Sequence, residues 1–169
     1  MIMTTAIWRN ADLIRIIPIT RADLNQAKSR NAFRPETTPK PGKARWYGWR
    51  DVVAVAVAQD LRKLGFGPSI AFGLVQEHLA PFLRGRIDTP DECAGVFWLI
   101  RPGDDRLTIE TPCEFLRHTE YEELQIAPNE NACIVVNVGR ISARVLDDLQ
   151  TTETAAVIRK EFQVQGPVM

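Results

Sequence analysis

Apolar residues recur at helical spacing in the first half of this 169-residue chain. Four of them stand at i, i+4, i+8 and i+11: Val53, Val57, Leu61 and Leu64. This spacing predicts a helix with one buried stripe. Gly48 is an acceptable N-cap, Asp51 suits the positive end of the helix, and Gly65 indicates where the helix stops.

A second helix is predicted upstream, after an ambiguous stretch over residues 8–17. Thr20 and Asp23 have the spacing of a capping box. The helix is expected to run to about Phe33, because the step from Arg34 to Pro35 disfavours helical backbone. Its polar positions are predicted to be exposed: Arg21, Asn25, Gln26, Lys28, Ser29 and Arg30.

Residues 35–43, between these two helices, contain three prolines and one glycine. Such a composition excludes a helix and predicts a loop or a hairpin arm. Lys40 and Lys43 lie near the tip of this arm, and Arg45 follows it. The segment between the two helices is therefore both extended and basic.

A third helix is predicted to begin at Pro68, because proline suits the first helical position, and to end near Pro81. Its inner face follows from the apolar spacing: Ile70, Leu74 and either His78 or Leu79. The first half of the chain therefore predicts three short helices with a basic arm between the first two.

The second half changes to patterns that are typical of strands. The apolar runs Val96–Ile100 and 107–111 flank a Pro-Gly-Asp-Asp turn and predict a β-hairpin. Residues 111–114 have capping-box spacing with proline at the first helical position. A short helix is therefore expected to carry Phe115 and Leu116.

Residues 133–138 have the pattern of a buried strand, and residues 151–162 fit either a helix or a strand. After Gly139, three apolar residues at i, i+4 and i+8 predict a helix: Ile141, Val145 and Leu149. The whole pattern predicts an α+β fold. It indicates a helical domain over residues 1–86 and a small α+β module over residues 87–169.

The 21 basic and 21 acidic residues of the chain are unevenly distributed between these two parts. Residues 1–86 hold 14 Lys and Arg against 6 Asp and Glu, a net charge of +8, whereas residues 87–169 hold 7 against 15, a net charge of −8. A surface with such a positive charge attracts phosphate backbones. The alternative is a basic surface that docks on the acidic half of the same molecule.

Other features of the sequence bear on compartment and cofactors. The longest apolar stretch, residues 52–58, is far shorter than the roughly 20 residues of a membrane span, and the N-terminus has no signal core. We expect a cytoplasmic protein that does not bind membranes. Cys93, Cys113 and Cys133 lack the spacing of a zinc site or a disulfide framework and are expected to be reduced core thiols. No metal or other cofactor is predicted.

An enzymatic interpretation requires Cys113 as nucleophile and His118 as base, with Glu114 or Glu120 orienting the base. Five residues along a helix do not place the first two side chains on one face, and His78 stands apart from them. The sequence contains no phosphate-binding loop and no nucleophile-elbow motif. We therefore expect that the protein is not an enzyme.

Two segments of the first half carry a resemblance to a known family. They are Arg-Trp-Tyr-Gly-Trp-Arg-Asp-Val at residues 45–52 and Leu-Arg-Lys-Leu-Gly-Phe-Gly-Pro-Ser-Ile at residues 61–70. The first is similar to the Arg-x-Tyr-Ser-x-x-Asp-Val pattern that ends the wing of MerR-type winged helix-turn-helix domains, and the second to the junction of the next two helices. Residues from about 19 to 79 therefore resemble such a domain. Asn31 or Ala32 stands where the family has a glycine that closes the recognition helix, and asparagine can adopt the same left-handed conformation.

The resemblance implies a sequence-specific, double-stranded DNA-binding transcriptional regulator. The recognition helix, about residues 20–33, would lie in the major groove, where Arg pairs with guanine and Asn or Gln with adenine. The basic wing, about residues 35–45, would contact the backbone or the minor groove. The predicted DNA-binding residues are Thr20, Arg21, Asn25, Gln26, Lys28, Ser29, Arg30, Lys40, Lys43, Arg45, Tyr47 and Arg50.

Trp46, Tyr47 and Trp49 also fit the stacking of single-stranded bases. Because they adjoin the apolar stripe of the following helix, we interpret them as the hydrophobic contact between the wing and that helix. In this interpretation the Tyr47 hydroxyl remains available to a phosphate.

MerR-like regulators generally act as dimers, so the resemblance also implies a homodimer. The acidic module, residues 87–169, would dimerise or sense an effector that the sequence does not specify. Pro81, Gly85 and Pro90 interrupt any coiled coil after Leu79. Two alternatives stay open: an adaptor that keeps the fold but binds a partner protein, and an excisionase-like architectural factor.

Overall fold

The computed structural model describes residues 8–36, 46–100, 114–117 and 133–150. The helices are α1 (Asn10–Ile16), α2 (Arg21–Ser29), α3 (Trp49–Lys63), α4 (Pro68–Leu74), α5 (Ala80–Arg86) and α6 (Val138–Gln150). The strands are β1 (Val96–Ile100), β2 (Glu114–Arg117) and β3 (Ile134–Asn137). A π-helical turn (Val75–Leu79) joins α4 to α5, and a 3-10 turn (Pro90–Cys93) precedes β1. This combination confirms the predicted α+β class.

Helix α3 is enclosed by other elements. Its N-terminus is as predicted, because the backbone N–H of Gly48 donates to Asp51 Oδ2 at 3.1 Å. Gly65 follows the helix with a φ of +99°, which favours glycine. All residues from 50 to 59 are buried, since α4, α5 and α6 pack around the helix. The prediction of a single buried stripe is therefore wrong, and Leu64, at the C-cap, is 62% exposed.

Helix α4 continues through the π-helical turn into α5, so the predicted end near Pro81 is wrong. A proline inside a helix removes one hydrogen bond and crowds the preceding turn. Here the helix is widened just before it, and the N–H of Ala80 donates to the carbonyl of Val75, five residues back. Ile70, which is predicted to point inward, is 36% exposed. Two other residues predicted on the inner face are buried: Leu74 and Leu79.

The sheet has the order β2-β1-β3, and both strand pairs are antiparallel. Trp98 in β1 pairs with Phe115 of β2 and with Val136 of β3. The predicted strands at 96–100 and 133–138 are thus confirmed. The second strand of the predicted hairpin, residues 107–111, lies outside the described residues.

The short helix predicted to carry Phe115 and Leu116 is wrong, because both residues belong to β2. The Phe115 ring stacks on Phe82 and on Trp98, with ring centroids 3.9 Å and 5.6 Å apart. This packing, together with pairing to β1, outweighs the local capping signal, as tertiary contacts commonly do for short segments.

Strand β3 leads directly into α6, which confirms the helix predicted from its apolar spacing. Gly139 lies in the first turn of α6, close to the chain before β1. A Cβ at this position would lie 2.5 Å from the carbonyl oxygen of Cys93 and 2.9 Å from the nitrogen of Gly95. Glycine is therefore required for α6 to approach that segment. Residues 151–162 lie outside the described residues.

Buried residues from both halves of the chain form one hydrophobic cluster. It includes Leu13 and Leu24 from the first half and Val136 and Leu149 from the second. Helix α6 packs directly on α3. The basic half and the acidic half therefore share a core. None of the helices in the described part of the chain combines the length and apolar character that crossing a membrane requires.

Candidate nucleic-acid interface

Helices α1 and α2 are joined by a turn of four residues, 17–20. Two residues of the turn, Ile17 and Ile19, are buried, which fixes the turn on the core. Thr20 is the predicted N-cap of α2, and its Oγ1 accepts a hydrogen bond from the N–H of Asp23 at 3.0 Å. Helix α1 falls in the stretch whose sequence pattern is ambiguous. Its start is capped by Asp12, whose Oδ2 accepts from the N–H of Arg9 at 2.8 Å.

Side chains of α3 hold this turn in place. Gln59 donates from Nε2 to the carbonyl of Pro18 at 2.5 Å. Arg62 donates from Nη1 to Gln59 Oε1 at 2.8 Å and contacts Asp23 Oδ2 at 3.3 Å. A hydrogen bond from the Thr20 side chain to the Asp23 carboxylate, together with Arg62, holds the pKa of Asp23 below its ordinary value. The first turn of α2 is therefore attached to the central helix.

Helix α2 ends at Ser29, four residues before the predicted end at Phe33. Asn31 adopts a φ of +56°, so the left-handed conformation expected of it is confirmed. Phe33 lies beyond the helix and is buried, with its ring centroid 5.9 Å from that of Phe72. The helix is shorter than predicted because the chain reverses at Asn31, before it reaches Pro35.

The outer face of α2 is polar, and Thr20 and Ser29 at its two ends form hydrogen bonds within the helix through their hydroxyls. Leu24 and Ala27 are its buried residues. Six predicted DNA-binding residues lie on the exposed side: Thr20, Arg21, Asn25, Gln26, Ser29 and Arg30. Neither Arg21 nor Arg30 forms an ion pair with any described residue, and the amide groups of Asn25 and Gln26 form no hydrogen bond within the described part of the chain.

Lys28 and Tyr47 differ from the other predicted DNA-binding residues, because they bind each other. Tyr47 is fully buried, and its hydroxyl accepts from Lys28 Nζ at 2.9 Å and donates to Asn10 Oδ1 at 2.5 Å. Lys28 is half-buried, and its Nζ also lies 3.4 Å from Asn10 Oδ1. The prediction that the Tyr47 hydroxyl is available to a phosphate is therefore wrong. The interpretation of Tyr47 as a core residue agrees with this burial.

Arg50 is the other residue whose predicted role the geometry contradicts. It is 9% exposed, and its Nε donates to the carbonyls of Leu83 and Ile87 at 3.0 Å and 3.1 Å. Its Nη2 donates to Ile87 at 2.5 Å and to Asp88 at 3.4 Å. These carbonyls lie at the end of α5, where helical partners are missing. Arg50 caps that helix end and does not lie on an outer surface.

Lys40, Lys43 and Arg45 of the predicted wing lie outside the described residues. The residues that flank them are held by one carboxylate: Asp51 Oδ1 accepts from the N–H of Glu36 at 3.0 Å and Oδ2 from that of Gly48 at 3.1 Å. Burial raises the pKa of Asp51 to about 6, although both hydrogen bonds oppose the shift.

Arg9 is a candidate that the sequence pattern does not reveal. It is exposed, and its guanidinium carbon lies 4.5 Å from the ring centroid of Trp46. It also precedes Asn10, at the start of α1. A single arginine in a stretch without clear periodicity gives no signal, so only the folded chain places it beside Trp46.

The described residues also bear on a catalytic site, a metal site and a cleft. Cys113 and His118 lie outside them, whereas Cys93 is buried, which raises the pKa of its thiol. Within the described ranges no three His, Cys, Asp or Glu residues come together as metal ligands. A cleft of about 220 Å³ lies between the α1–α2 turn, α3 and α6. Its Asp60 is already paired with Lys63 at 2.6 Å and with Arg144 at 3.2 Å.

Neither a known protein family nor a protein of curated function matches the sequence. The function is therefore inferred from the geometry and the charge of the described residues. Among the described residues, the outer face of α2 brings together two exposed arginines and two exposed amides that have no internal partner: Arg21, Arg30, Asn25 and Gln26.

Proposed function

We propose that the protein is a sequence-specific, double-stranded DNA-binding transcriptional regulator of the MerR-like winged helix-turn-helix type. One observation carries the proposal: α1, a four-residue turn and α2 follow one another, and α2 exposes Arg21, Asn25 and Gln26. Helix-turn-helix proteins join two helices by a turn of this length and read DNA with the second one. Helix α2 is the recognition helix in this proposal.

The dimensions and side chains of α2 suit the major groove. An α-helix with its side chains is about 10 to 12 Å in diameter, and the major groove of B-DNA is about 12 Å wide and admits such a helix. Arg21 can bind guanine in bidentate fashion, and Asn25 or Gln26 can bind adenine. Thr20, Ser29 and Arg30 lie at the two ends of the exposed face, where phosphate contacts position a recognition helix.

The distribution of charge also supports a polyanionic ligand. Five of the six acidic residues in the basic half bind backbone amides or cations internally: Asp12, Asp23, Glu36, Asp51 and Asp60. Arg21 and Arg30 form no ion pair with these carboxylates, so both guanidinium groups are available to a polyanion. Arg9, beside Trp46, adds a further cation near the predicted wing.

Several parts of the MerR resemblance are compatible with the described residues. A helix precedes the turn, Asn31 closes α2 in the left-handed conformation, and Gly65 does the same after α3. We propose a homodimer on this basis, because paired half-sites need paired readers. Sedimentation-equilibrium measurement of the mass in solution tests this part of the proposal.

The decisive experiment is a fluorescence-anisotropy titration of the full-length protein against a pool of random duplex DNA at two salt concentrations. We expect micromolar or tighter binding that weakens steeply with salt, followed by selection of a preferred duplex from the pool. Arg140→Ala is the matched control, because it removes one exposed arginine on α6 and leaves α2 unchanged. A fragment that contains only the acidic half, residues 87–169, is not a suitable control, because the two halves share one core.

The wing is tested by Lys43→Ala and Arg45→Ala in the same titration. Each substitution should weaken binding to all duplexes and lower the slope of log K against log salt by about one per lost phosphate contact. An unchanged slope in both variants would contradict the wing assignment.

The outcomes separate the alternatives. Absence of binding at low salt contradicts the proposal and favours an adaptor that binds a partner protein. Salt-dependent binding without a preferred duplex favours an excisionase-like architectural factor instead.

A further inference from the structure

A hydrogen-bonded network attaches the C-terminal end of α2 to the rest of the fold, and three of the described side chains belong to it: Lys28, Tyr47 and Asn10. The Tyr47 hydroxyl binds Lys28 Nζ at 2.9 Å and Asn10 Oδ1 at 2.5 Å. Lys28 lies in the last turn of α2, and Asn10 is the first residue of α1. One buried hydroxyl therefore connects both helices of the proposed helix-turn-helix.

Tyr47 is itself a fixed point. Its side chain is fully buried, and its backbone forms an antiparallel bridge with Trp8. The N–H of Tyr47 donates to the carbonyl of Trp8 at 2.8 Å, and the N–H of Trp8 donates back at 3.3 Å. The bridge fixes the backbone of Tyr47 next to Gly48, the N-cap of α3, and burial restricts the movement of the phenol ring.

The opposite end of α2 is held independently by Asp23, which contacts Arg62 of α3 at 3.3 Å. Helix α2 is thus attached at both ends, while its middle exposes Asn25 and Gln26. Leu24 and Ala27 pack the inner side of the helix on the core, and the network around Tyr47 adds a polar attachment at its last turn.

We propose that Tyr47 is a positioning residue for sequence discrimination, which acts on α2 through Lys28 and Asn10 and does not touch DNA itself. This inference rests on the proposed function. Hydrogen bonds to base edges weaken steeply when angle or distance changes, whereas attraction to phosphates tolerates small rotations. A loosened α2 should therefore lose discrimination between duplexes before it loses affinity for DNA in general.

The test compares the unaltered protein with Tyr47→Phe, in full-length form, on the selected duplex and on a duplex of scrambled sequence. The ratio of the two affinities should fall by about tenfold, the discrimination that one misaligned base contact would cost. The slope of log K against log salt should stay the same, because no phosphate contact is removed. A purely structural role would weaken binding to both duplexes equally.

Variants at Asn10 test the network from its other side. Asn10→Ala removes the acceptor and should lower the ratio as Tyr47→Phe does, and it serves as the test if Tyr47→Phe fails to fold. Asn10→Asp keeps an acceptor for the hydroxyl and for Lys28, and should preserve the ratio. Ser142→Ala removes a buried hydroxyl on α6, outside the network, and should also preserve it.

The results distinguish the two levels of the proposal. If the unaltered protein discriminates between the duplexes and both Tyr47→Phe and Asn10→Ala retain its full ratio, the role of Tyr47 is overturned while the proposed function stands. If the unaltered protein binds neither duplex, the proposed function and the inference are both overturned.

Discussion

Helices α2 and α3 both begin at predicted N-caps, yet they use their first arginines in opposite ways. Arg21 of α2 is exposed and pairs with no described residue, whereas Arg50 of α3 is 9% exposed and donates to carbonyls at the end of α5. The cause is the surroundings: α3 is enclosed by helices, and α2 packs on one side through Leu24 and Ala27. Position in the fold decides whether an arginine stabilises the protein or remains available to a ligand.

The largest expected effect concerns Arg50. Arg50→Ala should lower the free energy of unfolding by roughly 3 to 5 kcal/mol, because it leaves buried carbonyls of α5 without donors. Arg21→Ala should change the same quantity by less than about 0.5 kcal/mol, as exposed substitutions usually do. Urea unfolding followed by circular dichroism measures both. Equal losses in the two variants would remove the contrast between the helices.

A second effect concerns the pH dependence of stability. The pKa of Asp51 is raised to about 6 in the folded protein, so the folded state binds more protons than the unfolded state between about pH 4 and pH 6. Its contribution is fully present below about pH 4 and is lost as pH rises through about 6, by as much as about 3 kcal/mol. The charged groups near it are Glu36 and Arg84, which contact each other at 3.4 Å.

Urea unfolding of the unaltered protein and of Asp51→Asn between pH 4 and pH 8 measures this contribution. The difference in stability between the two proteins should change in favour of Asp51→Asn as pH rises. A difference that stays constant over this range would show that Asp51 titrates at its ordinary pKa.

Substitutions on the exposed face of α2 are expected to weaken the binding of DNA. Arg21→Ala or Asn25→Ala should weaken binding to the preferred duplex by about 1 to 3 kcal/mol, with a much smaller loss on random DNA for Asn25→Ala. Anisotropy titrations on both duplexes measure the difference, with Arg140→Ala as the control. An equal loss on both duplexes for Asn25→Ala would exclude base contact by this residue.

The smallest expected effect concerns the cap of α2. Thr20→Ala removes the acceptor for the N–H of Asp23 and should lower the free energy of unfolding by about 1 kcal/mol. Thr20→Ser keeps the hydroxyl and should retain most of the stability. Thermal unfolding of both variants tests this. A Thr20→Ala protein as stable as the parent would show that the cap adds nothing to the fold.

Local signals predicted those elements whose capping and burial agree. The N-caps at Thr20 and Gly48, the left-handed Asn31 and the helix after β3 all follow from residues within one turn of the feature. Local signals gave a wrong prediction where contacts between distant residues outweigh them. Phe115 pairs with β1 and stacks on Phe82, so a segment with helix-capping residues becomes a strand.

The candidate site divides in the same way. The exposed positions of α2 were predictable, because the periodicity of a helix indicates which side chains point outward. The packing of the Tyr47 ring was predicted from the adjoining apolar stripe, but the internal partners of its hydroxyl and the burial of Arg50 were not. A hydroxyl or a guanidinium near the start of a helix has the same local pattern whether its partner is a ligand or the core. Arg9 was missed because it has no periodic neighbours.

By itself, the sequence determined the α+β class, the polar face of α2 and the separation of charge between the two halves. These properties depend on side-chain periodicity, on caps and on composition, which are local quantities. Only the tertiary structure decided that both halves share one core, that α1 precedes the turn, and that Lys28, Tyr47 and Asn10 bind one another. The Tyr47 hydroxyl and Asn10 lie 37 positions apart in the sequence, and the two halves that share the core lie farther apart still. No local pattern encodes such a distance.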